Sequence, residues 1–134
     1  MTVKTNSIKI NTDKNFQIID ITSKINDLID INEGIISIFS KHSTTAIVVN
    51  ENESGLLDDF EFMLNNLISE KFSYNHDLID DNARSHLKSF LLSSSESLPV
   101  KNGKLDLGVW QSVFFVELDG PRSKRTITLT MVGD

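Results

Sequence analysis

The chain contains no cysteine. This excludes disulfides and thiolate zinc sites, and leaves only histidine, carboxylate or amide groups as metal ligands. Tryptophan and tyrosine occur once each, so a core must come from Ile, Leu, Val and the eight Phe. Long apolar runs are missing too: the longest cover only a few residues, far short of a bilayer crossing. The N-terminal MTVKTNSIKI lacks the apolar core of a signal peptide. Cytoplasmic residence, with no membrane contact, is the expectation. Positive charge is scarce, and the formal net charge is -6. Nucleic acid is an unsuitable partner for such a chain, because binding it needs cations that displace phosphate counterions.

No linker, repeat or long low-complexity run divides the 134 residues. They form one domain, 1–134, long enough for one real core. Alternation over residues 3–10 predicts a strand, and Phe16 to Ile21 a second. Thr22 or Ser23 would cap a short helix carrying Ile25, Leu28 and Ile29. The β-branched stretches 35–39 and 45–49 read as strands. A helix opening at Ser54-Gly55 carries Leu56, Leu57, Phe60, Met63, Leu64 and Leu67 at helical spacing, and this stripe reads as core. A further helix, Ala83 to Leu92, is capped by Asp80, Asp81 or Asn82 and turns Leu87, Phe90 and Leu91 inward. Asn102-Gly103 signals a tight hairpin. Ser112 to Leu118 and Thr126 to Val132 end the series as strands. The class is α+β: a strongly curved, mostly antiparallel sheet covered by about three helices on one side.

Chemistry-bearing residues fall into four groups. The three histidines, His42, His76 and His86, each sit beside polar, acidic or hydroxyl neighbours. Imidazole titrates near neutrality and ligates metals, so the three are candidate catalytic groups and candidate ligands for a divalent ion, Zn or Mg. In Lys41-His42-Ser43-Thr44-Thr45, hydroxyls beside a histidine suit phosphate binding, which makes Thr44 and Thr45 candidate substrate contacts. Glu51 can bind a hard cation or orient a ligand at a strand end. Between His76 and His86, Asp80 can ligate or steady a histidine, and Asn82 shares a helix face with His86. Gln111 starts a strand, and Arg122, on a Gly-Pro turn in the basic run 122–125, suits a bidentate anion contact.

Three stretches, HSTTAIVVNENESGLL, then YNH with DDNARSHLKSFLL, then LPVKNGKLDLGVWQSVFFVELDGPR, resemble the YjbQ family, also labelled secondary thiamine-phosphate synthase. They fall between residues 42 and 122 in the family's order, and that succession is what makes the match specific. The resemblance implies a homotrimer with a site near subunit boundaries. Its positions here are His42, Thr44, Glu51, Asn52, His76, Asp80, His86, Gln111 and Arg122. It also implies a weak activity joining hydroxymethylpyrimidine pyrophosphate to a thiazole phosphate, with release of pyrophosphate. An enzyme for an anionic small molecule is thus the leading expectation. A non-catalytic metal- or phosphate-ligand-binding module and a ligand-free structural trimer are the alternatives.

Overall fold

The computed structural model describes all 134 residues. Strand β1 (Thr2–Ile10) pairs antiparallel with the last strand, β8 (Arg125–Gly133). β8 also pairs with β3 (Gly34–Ser40), which pairs with β5 (Ser95–Lys101) and, beyond it, the two-residue β6 (Lys104–Leu105). A second sheet has the order β2 (Gln17–Asp20), β7 (Gln111–Glu117), β4 (Thr45–Glu51). All pairings are antiparallel. The sheets meet where Ser40 N–H donates to Ser94 O and Ile47 N–H to Ser93 O. With α1 (Thr22–Leu28), α2 (Ser54–Leu67) and α3 (Ala83–Leu92), this is the expected α+β domain with a curled antiparallel sheet. No helix is long and apolar enough to cross a membrane.

The main core lies between the sheets. Ile36, Ile38, Ile127 and Leu129 face Ile47, Val113 and Phe115, and Ile25 of α1 joins them. On the other face of the three-stranded sheet, Phe114, Val116 and Leu118 are met by Leu57 and Phe60 of α2 and Leu92 of α3. β7 is therefore buried on both faces, which is why its sequence runs VFFV instead of alternating. The Asn102-Gly103 hairpin forms as expected, with both residues at positive φ. Gly34 and Gly133 face one another in register, and a Cβ at Gly34 would lie 2.1 Å from the Val132 carbonyl oxygen.

Helix faces and caps depart from expectation. Leu87, Phe90 and Leu91 do not point inward; Phe90 is 85% and Leu91 57% exposed. α3 instead lays its small, polar face on the sheet. Ser89 Oγ donates to Thr45 O and Ser85 Oγ to Leu118 O, each at 2.6 Å. Such close approach leaves room for serine and none for phenylalanine. The α2 stripe is not solid core either: only Leu64 is buried, and Leu67 is 60% exposed. Leu56, Leu57, Phe60 and Met63 instead border an apolar cavity of about 450 Å³ above Ile18, Val48 and Phe114. α2 does open at Ser54, and Glu53 caps it, accepting from Gly55 N–H at 2.7 Å and Leu56 N–H at 2.8 Å. Asp77, not Asp80, Asp81 or Asn82, accepts the Ala83 N–H of α3 at 2.9 Å. At α1 neither Thr22 nor Ser23 is the cap; Asp20 accepts from the Thr22 backbone and hydroxyl.

Candidate active site

Between β3 and β4 the chain turns through Lys41–Thr44, and the His42 ring folds back onto β8. Its Nε2 accepts the Thr126 N–H at 2.8 Å. A neutral His42 therefore carries its proton on Nδ1, the only ring nitrogen left for a ligand. Behind it lies a buried ion pair. Arg125 Nε donates to Glu117 Oε1 at 2.8 Å and Nη2 to Oε2 at 2.6 Å. Thr12 Oγ1 donates to Glu117 Oε1, and Arg125 Nη2 also donates to Thr44 Oγ1. Thr44 and Thr45 are both buried, and the Thr45 hydroxyl is shared between Ser40 and the His42 carbonyl. Their hydroxyls brace this turn; they do not face a cavity.

Burial holds the His42 pKa below its ordinary value, nearby Arg125 lowers it further, and Glu117 opposes both. The unfolded chain thus takes up this proton first as pH falls. Between about 6.5 and the lowered folded value, the contribution of His42 to stability is lost with falling pH. NMR titration of the native ring should give a midpoint below the ordinary imidazole value; a midpoint at or above it would contradict this account.

The second histidine enters through a 3₁₀ turn, Asn75–Leu78. His76 Nε2 lies 3.0 Å from Asn82 Oδ1, and Asn82 Nδ2 donates to Asp119 Oδ2 at 2.9 Å. Arg122 grips the same aspartate, with Nη2 on Oδ2 at 3.0 Å and Nε on its carbonyl at 2.9 Å. Half of the guanidinium fork is thereby committed within the protein. One turn into α3, His86 meets His76 edge-on, with ring centroids 4.8 Å apart and planes at 83°. Its side chain makes no hydrogen bond to the protein.

Two cavities join these rings. His42 and His86 line one of about 340 Å³ with Ser43, Ser89, Ser93 and Ser94. His86 and His76 line the next, about 360 Å³, with Tyr74, Leu87 and Phe90. His86 stands between the other two. Asp80 is exposed and hydrogen-bonds neither histidine through its side chain. No three His, Asp or Glu side chains of one chain stand close enough together to hold a metal ion.

The remaining motif residues gather elsewhere. Glu51 and Gln111 face each other in register, Gln111 Oε1 accepts from Gly108 N–H, and Asn52 donates to Asp20. They sit at the far end of the β4–β7 pair from Thr45 and Glu117, about 20 Å away for a seven-residue strand. Within one chain they do not join the histidines.

A family model described as "UPF0047 protein YjbQ-like" matches residues 6–134. The chain belongs to this YjbQ-like family. A UPF0047 protein of Methanothermobacter thermautotrophicus is 48% identical over 128 residues, covering 93% of this chain and 90% of that one. The Bacillus subtilis protein YugU is 32% identical over 133 residues, covering 95% and 98%. Among solved structures, a protein of unknown function from Sulfolobus solfataricus superposes with a TM-score of 0.95 at 41% identity, over 99% of each chain. The candidate site includes residues the motifs alone did not single out. Glu117 and Arg125 brace the turn behind His42, and Asp119 anchors the Asn82–His76 end. The signal for Glu117 was a charge inside an apolar strand. Ser93 and Ser94 line the first cavity as well.

Proposed function

We propose that the chain is an enzyme acting on a phosphorylated or pyrophosphorylated small molecule, with His42, His76 and His86 as its working groups. One observation carries this: the cavity bordered by two imidazoles and four serines, with Phe90 its one apolar member. Hydroxyl and ring N–H donors suit phosphate oxygens, and the bond strengthens when the acceptor is charged. The reaction implied by the family resemblance fits such a lining. As the thiazole nitrogen bonds to the pyrimidine methylene carbon, the carbon–oxygen bond breaks and pyrophosphate leaves with the electron pair. Donors preset around that growing charge lower the barrier. His42 Nδ1–H and the hydroxyls of Ser43, Ser93 and Ser94 would serve there, the Ser89 hydroxyl being held by the Thr45 carbonyl. Arg122, tied to the His76 end through Asp119, keeps Nη1 free to donate to an anion. With no cluster of three ligands in one protomer, a zinc or magnesium ion would complete its shell with water, substrate phosphate or a neighbouring copy, and the steps here are assigned to the chain's own residues.

A homotrimer in the cytoplasm is part of this reading. The exposed side chains Phe62, Leu67, Phe90 and Leu91 support an assembly, because large apolar surface on a lone protomer is unusual. So does the separation of Glu51, Asn52 and Gln111 from the histidines, which a neighbouring copy would close. Sedimentation equilibrium should return three chains; a monomer would remove this part of the proposal.

The second reading is a binding module without catalysis. It is favoured by the structural hydrogen bonds already made by His42 and Arg122. Pyrophosphate release from hydroxymethylpyrimidine pyrophosphate with thiazole phosphate, followed by a coupled assay, decides between them. Release above the protein-free rate is expected. Calorimetric binding of inorganic pyrophosphate without release would leave the module, and neither binding nor release would end both readings.

A further inference from the structure

A carboxylate only accepts hydrogen bonds, and an amide side chain has one end that donates and one that accepts. These two rules propagate along the chain of contacts from Asp119 to His76. The Asn82 Nδ2 group lies 2.9 Å from Asp119 Oδ2 and donates to it. Arg122 holds that carboxylate in place from the other side, through Nη2 on the same oxygen and Nε on the backbone carbonyl. With its donor end so engaged, Asn82 turns its oxygen to His76 Nε2 at 3.0 Å. An amide oxygen accepts, so Nε2 must carry the proton. A neutral imidazole has one, and Nδ1 is left bare.

We infer that Asp119, acting through the Asn82 amide, fixes His76 in its Nε2–H tautomer and makes Nδ1 the nitrogen that takes up a proton or a ligand. Asp119 and Asn82 are positioning residues. They act through His76, deciding which nitrogen of its ring is basic. His42 is held in the opposite sense, because the Thr126 N–H fixes a lone pair on its Nε2 and a proton on its Nδ1. The two outer imidazoles therefore present unlike groups, a lone pair at His76 and an N–H at His42, with His86 between them. That polarity suits a site that accepts a proton at one end and donates one at the other. Its use in catalysis rests on the enzymatic reading above, whereas the tautomer itself does not.

Long-range ¹H–¹⁵N correlation spectra of the labelled, ligand-free protein test it at about pH 8, above the ordinary imidazole range. Wild-type His76 should show protonated Nε2 and unprotonated Nδ1. Asp119→Ala frees the Asn82 amide to rotate, and His76 should then populate both tautomers. Asn82→Ala should do the same with the Asp119–Arg122 pair untouched, which covers the case in which Asp119→Ala fails to fold. Asp119→Asn should restore the wild-type pattern, because Arg122 Nη2 demands an oxygen at the position it shares with Asn82. Nδ1 protonation in the wild type, or an unchanged His76 pattern in both alanine variants, overturns the inference. So does an Asp119→Asn spectrum like that of Asp119→Ala. A wild-type protein that keeps the tautomer yet releases no pyrophosphate leaves the inference standing and removes the enzymatic reading alone.

Discussion

Replacing Glu117 with alanine is expected to destabilise the protein by about 3–5 kcal/mol, the range for breaking a buried ion pair by removing one partner. Glu117 is 0% exposed, and both its oxygens are engaged by Arg125. Its loss leaves a guanidinium buried without a countercharge, while the Thr12 hydroxyl and the Asp119 N–H lose their acceptor. Burial alone would raise the pKa of this carboxyl; hydrogen bonds from Arg125, Thr12 and the Asp119 amide outweigh it and hold the value below the ordinary one. A carboxyl depressed in this way contributes stability above its unfolded pKa and loses it as pH falls through the folded one. Urea unfolding at neutral pH measures the loss. Glu117→Leu combined with Arg125→Met should recover much of it, since apolar replacement of both partners spares the desolvation. A loss below about 1 kcal/mol in the single variant would mean that the pair behaves like an exposed one.

The largest effect on turnover is expected from His86→Ala. General acid–base groups contribute about 10²–10⁴-fold to rate, and one lost donor to a developing anion costs about 10²–10³-fold. Pyrophosphate release should therefore fall about 10²–10³-fold in kcat/KM. His86 is the cleanest of the three histidines to remove. His42 holds the Thr126 amide and His76 holds Asn82, whereas the His86 ring only packs edge-on against His76. Its unfolding midpoint should stay close to wild type. Unchanged turnover in a folded His86→Ala protein would remove this residue from the mechanism.

Strands were easier to read from the sequence than helix faces. Asn102-Gly103 announces a hairpin by local chemistry alone, and a β-branched run such as 45–49 has one natural conformation. The faces of α2 and α3 depend on what lies opposite. Leu87, Phe90 and Leu91 have helical spacing, but Ser85 and Ser89 win the inner face because they bond strand carbonyls at close range. The site shows the same limit. The histidine motifs could be picked out singly, and His86 does connect His42 with His76 through two cavities. That Thr44 and Thr45 are consumed by Arg125 and Ser40 depends on partners five to about eighty residues away. So does the distance of Glu51 from His42, since spacing along a chain says little about which end of a strand pair a residue reaches.

Strand β7, covered on both faces and flanked on both edges, runs from Gln111 at one end of the molecule to Glu117 at the other. Its amides are expected to exchange with solvent last, since opening it requires separating helices from sheet and sheet from sheet. One stiff rod thereby links the two groups of motif residues: Gln111 at one end, and at the other Glu117, which through Arg125 braces the turn of His42.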